Sequence, residues 1–290
     1  MFDAAPLTRR WGTVVRARGA ATVSALPRPE IIELLKTSGA VLFSGFEIDG
    51  DGFKTLTESF GHSFVTNLHA GSHRDMVSDE GRTSTVNLGN KLVGHHCELS
   101  YSPLRPELLW FLCVHPASKG GETFLADGVE LWSKMGAELK ARFSKKRIKY
   151  SFPRADRNVW PVYTGAWTGA TEASQALGKL EGVSHRLNTD GTIDIEYVTD
   201  AALPTRWGTE LAFVNSVIVH DQCSMFFEDG EPITEELKWD LLALAHDLTE
   251  PIKWRAGEVL LIDNTRMMHG RMPFTDPTRR IHVRMSNASF

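Results

Sequence analysis

Gly94-His95-His96-Cys97-Glu98-Leu99-Ser100-Tyr101 places a histidine two residues before a carboxylate. On an extended strand, side chains two apart point to the same side. His96 and Glu98 can therefore reach one metal ion together. A third protein ligand must come from elsewhere, and His269 is the candidate. It follows Gly257-Glu258-Val259-Leu260-Leu261-Ile262-Asp263-Asn264, an apolar strand that runs into an Asp-Asn turn. Two histidines and one carboxylate on one face of an ion leave positions open, the pattern of non-haem iron(II) sites that must admit a co-substrate and dioxygen. The pair alone is weak, because His73-Arg74-Asp75 repeats it in a polar loop. His96 alone also reads as a hydrogen-bonded core histidine, Glu98 as a salt-bridged acid and His269 as a surface residue. The surroundings separate the two pairs.

Those surroundings read as strands and loops. Thr83 to Leu88, Leu108 to Val114, Thr123 to Ala126, Ile148 to Phe152, Thr192 to Val198, Leu211 to Val214, Glu258 to Ile262 and Arg280 to Met285 are strand candidates. Ahead of them, Pro29 suits the first turn of a helix over Glu30 to Thr37, and Gly39 ends it before a buried strand at Ala40 to Phe43. Asp51 can cap a second helix with Phe53, Leu56 and Phe60 on one side. Two more helices are expected, from Asp127 to about Phe143 and from Thr234 to about Leu248. Many short strands with turn signals favour a sandwich or barrel with flanking helices over a doubly wound sheet. The expected division is a single domain over 1–290, with N-terminal helices and an insertion around 154–210.

Bulk properties narrow the function classes. The 290 residues are 42% hydrophobic and 23% charged, ordinary for a globular protein, and the net charge of −4 offers no general attraction to nucleic acid or an anionic membrane. No apolar run approaches a membrane span. The first 21 residues carry Arg9, Arg10, Arg16 and Arg18 but no apolar signal core. Cys97, Cys113 and Cys223 are too few and scattered for a disulfide framework, so a reducing, cytoplasmic setting is expected.

Downstream of His96 the sequence resembles the taurine dioxygenase family, most closely its clavaminate synthase-like branch. The matching stretches are His96-Cys97-Glu98-Leu99-Ser100-Tyr101 with Pro103, Pro106, Phe111 to Cys113, Gly120-Gly121-Glu122-Thr123, Asp263-Asn264 with His269, Pro273-Phe274 and Arg279-Arg280. The resemblance covers about Ala40 to Phe290, with a poorly matched middle. It implies a double-stranded β-helix, or jelly roll, and an Fe(II)- and 2-oxoglutarate-dependent dioxygenase using O2 as co-substrate. It also implies that His96, Glu98 and His269 ligate the iron, that Thr123 hydrogen-bonds the distal carboxylate of 2-oxoglutarate, and that Arg280 pairs with that carboxylate. Halogenating relatives replace the acid with a small residue, so Glu98 argues against halogenation.

The expected chemistry is hydroxylation of an unactivated carbon of a small amino-acid-like or natural-product substrate, with release of succinate and CO2. On the last strand, Arg280, His282 and Arg284 share a face. If Arg280 points inward, so does Arg284, and it either binds an anionic substrate group or pairs with an internal acid. The resemblance supports the first option, since taurine dioxygenase grips its substrate's sulfonate from this relative position. Asn87 and Asn215 are further substrate-contact candidates; Trp160, Trp167, Trp207 and Phe226 fit either a pocket or a core. Two other classes compete: a zinc hydrolase on the same three ligands, for which no general base is evident near the motif, and a non-catalytic binding protein. The sequence sets no oligomeric state.

Overall fold

Leu108-Leu109-Trp110-Phe111-Leu112-Cys113-Val114 has no polar residue, and a strand without alternation must be covered on both faces. In the computed structural model, which describes residues 2–19, 21–66, 74–78, 81–166, 168–218 and 223–290, that is how it lies. The strand Leu108–His115 sits inside a large sheet ordered Phe2–Pro6, Thr13–Ala17, Ala40–Ser44, Val259–Asp263, Leu108–His115, Arg280–Ala288, Gly61–His62. Its Leu108, Trp110 and Leu112 pack outward on Ile31 and Leu35 of helix Arg28–Ser38 and on Phe53 and Leu56 of helix Gly50–Phe60. Its Leu109, Phe111 and Cys113 pack inward with Ile281 and Val283, and with Leu125 and Met267 of a second sheet.

The second sheet is antiparallel, in the order Glu250–Ile252, Thr123–Asp127, Met267–Arg271, Val93–His96. A third sheet, ordered Val183–Leu187, Ile193–Thr199, Ile148–Ala155, Ser224–Phe227, shares a core with helices Gly128–Lys134, Ala137–Lys145 and Glu235–Asp247. That core reaches Cys97, Leu99 and Met268, beside the expected ligands. The architecture is mainly β with flanking helices, as expected.

Several boundaries differ. The helix expected from Asp127 to Phe143 is two helices, because Met135 is extended (ψ 130°) ahead of Gly136; Asp127 is the cap, accepting from Val129 N at 2.9 Å. The second N-terminal helix is capped by Asp49 rather than Asp51, through Gly52 N at 2.8 Å. Thr83 to Leu88 contributes only the short strand Ser84–Thr85. Strands Phe2–Pro6, Thr13–Ala17 and Met267–Arg271 were not expected; the last carries Gly and His, where strand propensity is weak. Residues 154–210 hold helices Pro161–Thr164 and Ala170–Leu177 and the strands Val183–Leu187 and Ile193–Thr199 that complete the third sheet. Among the described residues, no helix is long and apolar enough to cross a membrane.

Candidate metal centre

His96 and His269 stand directly opposite each other on neighbouring antiparallel strands, with ring centroids 4.2 Å apart. The Glu98 Oε2 atom lies 3.8 Å from His96 Nε2 and 3.7 Å from His269 Nε2. Donors about 2.0–2.2 Å from a common ion stand roughly 3–4 Å apart, so the set fits one cation. Each of the three offers a ligand atom within 4.8 Å of the others.

The expectation that His96 and Glu98 share a strand is corrected. The strand ends at His96, and Glu98 sits in the turn beyond it, where Leu99 adopts a positive φ of 53°. What aims Glu98 is Asn264. Its Oδ1 accepts from Glu98 N at 3.0 Å, and its Nδ2 donates to Glu98 O at 3.0 Å and Pro106 O at 2.8 Å. Asn264 is fully buried. Sequence reading saw a turn within a matched stretch but not its contact with Glu98; an amide just past the apolar run Val259 to Ile262 was the available signal.

Both histidines turn Nε2 toward Glu98 Oε2. The carbonyl of Gly94 lies 2.9 Å from His96 Nδ1 and holds the proton on that nitrogen, leaving Nε2 for a metal. Burial, then the neighbouring His96, pushes His269 well below the usual imidazole range. Burial alone would raise the Glu98 carboxyl, but Arg74 and the two histidines outweigh it and hold the acid well below its ordinary range. Arg74 Nη2 donates to Glu98 Oε1 at 3.2 Å and Arg74 Nε to Asn87 Oδ1 at 3.0 Å. His95 points elsewhere, against Phe124, and burial takes its pKa down to about 4.

The triad opens into a cavity lined also by Arg74, Phe111, Thr123, Arg271 and Arg279, about 420 Å³ free of protein atoms and continuous with solvent. Thr123 Oγ1 accepts from Trp254 Nε1 at 3.0 Å, which leaves the hydroxyl proton to donate. Arg279 is held by Gly121 O at 3.0 Å and lies over the Phe274 ring at 5.0 Å. Burial and then Arg271 push Arg279 down to about 10, so it remains cationic at neutral pH. Gly121 is required, because at φ 72° any Cβ would stand 2.7 Å from Arg279 Nε. Arg271 donates Nη1 to Asn87 O at 2.6 Å and Nη2 to Lys91 O at 2.9 Å.

Two arginine assignments are corrected. Arg280 is exposed and does not line this cavity; Arg279 does. The inward residues of the last strand are Ile281, Val283 and Met285, whose face Arg279 precedes in step. A slip of one residue exchanges the faces. Arg284 consequently lies opposite Trp110 on the helix side, paired with Glu58 at 3.0 Å and set against Phe64. It takes the internal ion pair rather than a place in the cavity. Asn215 is also outside: its side chain bonds Ala201 O and Val217 N, and its carbonyl receives Cys97 N at 3.0 Å, bracing the ligand turn. Asn87 does line the cavity. Trp160 is core, Trp207 stacks on Phe290, and Phe226 lies on the third sheet away from the triad. Trp167 and His73 fall outside the described residues.

Two histidines and a carboxylate on an open cavity, with a threonine and an arginine in the same lining, define a facial-triad mononuclear metalloenzyme. Comparison with known proteins agrees. The model of the "Taurine catabolism dioxygenase TauD, TfdA family" matches residues 3–286, further toward the N-terminus than the motifs alone reach. The dapdiamide synthesis protein DdaC of Enterobacter agglomerans is 26% identical over 276 residues, covering 84% of this chain and 81% of its own. A clavaminate synthase-like protein of Arabidopsis thaliana is 24% identical over 275 residues, covering 86% and 81%. Among solved structures, PvcB of Pseudomonas aeruginosa superposes with a TM-score of 0.65 at 16% identity, covering 99% of this chain and 91% of that one. The chain belongs to the taurine catabolism dioxygenase (TauD, TfdA) family, the non-haem iron dioxygenases that use 2-oxoglutarate and O2.

Proposed function

We propose that this enzyme hydroxylates an unactivated carbon of a small amino-acid-like or natural-product molecule, converting 2-oxoglutarate to succinate and CO2. The observation that carries this reading is that the triad of His96, Glu98 and His269 and the pair Thr123 and Arg279 open into one cavity. In this reading the two facing sheets are the walls of a double-stranded β-helix.

Iron(II), held by His96, Glu98 and His269, supplies the coupling of dioxygen reduction to decarboxylation. The remaining work falls to the chain. Arg279 offers a planar fork to the distal carboxylate of 2-oxoglutarate, and Thr123 donates its hydroxyl proton to the same group. Phe111 and Val86 give the cavity apolar wall, which limits water around the reacting carbon. Arg74 and Asn264 fix Glu98 so that one carboxylate oxygen stays toward the histidines. The names of the relatives, dapdiamide synthesis and clavaminate synthase-like, favour a small biosynthetic substrate.

A screen of amino acids and small metabolites for substrate-stimulated succinate formation tests this reading. One or more should raise succinate release at least about tenfold and gain one oxygen atom by mass. A product gaining no oxygen, or a gain of halogen, would contradict hydroxylation.

A further inference from the structure

We infer that Arg74 grips a carboxylate of the substrate beside the metal centre, so that the enzyme oxidises a small monoanionic acid. This rests on the iron and 2-oxoglutarate reading above and names the substrate class that reading leaves open.

The cavity is rich in positive charge. Its described lining carries three guanidinium groups, on Arg74, Arg271 and Arg279, against the single carboxylate of Glu98. Loading does not cancel this, because iron(II) brings two positive charges and 2-oxoglutarate two negative ones. The three arginines are not equivalent. Arg279 lies with Thr123 and is committed to the distal carboxylate of 2-oxoglutarate. Arg271 has both terminal nitrogens on main-chain carbonyls, of Asn87 and Lys91, and serves to tie that loop to the strand Met267–Arg271.

Arg74 is different. It is fixed by Asn87 through Nε and by Glu98 Oε1 through Nη2, and its side chain is 14% exposed. Of the five N–H groups of a guanidinium these bonds use two. Nη1 has no hydrogen-bond partner among the described residues. The Glu98 charge that balances Arg74 in the empty protein passes largely to the metal when the metal binds. A mostly buried cation then shares its only counter-ion in the described lining with the metal, next to the place where substrate must sit, which is unfavourable until a further anion arrives. One guanidinium with a free Nη1 suits a monoanion of planar shape, and a carboxylate meets both conditions. A doubly charged phosphate monoester would want a second unspent cation.

The test is calorimetric and needs no turnover. Protein loaded with Mn(II) and 2-oxoglutarate without oxygen is titrated with a panel of free amino acids and N-acetyl amino acids, and with their matching amides. The wild type should bind at least one acid, with its amide about ten- to a hundredfold weaker, the usual scale for a charged hydrogen bond. Arg74→Gln should lower the acid to the level of the amide and leave the amide where it was. Arg74→Lys, which keeps the charge and loses the fork, should fall between. The proposal is overturned if acid and amide bind the wild type equally, if Arg74→Gln weakens both alike through Glu98, or if no acid prefers the wild type. The acid–amide comparison in the wild type stands even if the variants fold poorly. A failure here with an intact absorption band for the iron(II)–2-oxoglutarate complex would leave the reading of the metal site in place.

Discussion

Individual side chains divide the work of this site, and each should fail in its own way. Alanine at His96, Glu98 or His269 should abolish succinate formation and weaken iron(II) binding, measured by metal titration; full activity in His269→Ala would mean the wrong third ligand. Arg279→Ala should raise the apparent KM for 2-oxoglutarate about ten- to a hundredfold, and Arg280→Ala should barely change it. The opposite ranking would restore the assignment made from sequence spacing. That spacing, eleven residues past His269, was ambiguous because two arginines are adjacent. Only the pleat of the last strand, with Ile281 and Val283 inward, tells them apart. Glu98→Gly should end hydroxylation and admit chloride at the vacated position, seen as a chlorinated product in chloride buffer. Chlorination by the wild type would contradict the role given to Glu98.

At the scale of elements, two neighbouring strands and one turn make the metal centre. The ligand types and the third histidine were legible in sequence, because His-x-Glu is a local pattern and His269 falls in a stretch that carries the family resemblance. The scaffold behind them was not. Asn264 acts across 166 residues of chain on Glu98, and no local rule relates the two. Val93–His96 and Met267–Arg271 are strands by partnership with each other and with Thr123–Asp127, since the Gly and His residues in them have little strand propensity. The apolar strands Leu108–His115 and Val259–Asp263 were readable because burial on both faces leaves a continuous signature. Asn264→Ala removes four side-chain hydrogen bonds, one of them from the Cys97 thiol, and strands the buried amide and carbonyl of Glu98. At about 1–3 kcal/mol for each unsatisfied group, it should lower the denaturant midpoint clearly. It should also weaken iron(II) about ten- to a hundredfold, the usual effect of losing a partner behind a ligand. Unchanged iron affinity in a folded Asn264→Ala protein would mean the turn holds its shape without the amide.

For the molecule as a whole, the large sheet and the four-stranded sheet enclose the cavity, and the third sheet packs its core against the turn that carries Glu98. Metal loading therefore ties both parts of the fold together through His96, Glu98 and His269. Saturating Mn(II) at a hundred times its Kd should stabilise the protein by about 2.7 kcal/mol and raise Tm by a few degrees, with no rise in Glu98→Ala. An equal rise in that variant would place the stabilising metal elsewhere. The most direct measurement is anaerobic absorption spectroscopy of the wild type and of His269→Ala with iron(II) and 2-oxoglutarate added in turn. A weak visible charge-transfer band should appear in the wild type only when both are present, and should be absent in His269→Ala and with zinc in place of iron. No band in the wild type, or an undiminished band in His269→Ala, would contradict an iron and 2-oxoglutarate site built on these three residues.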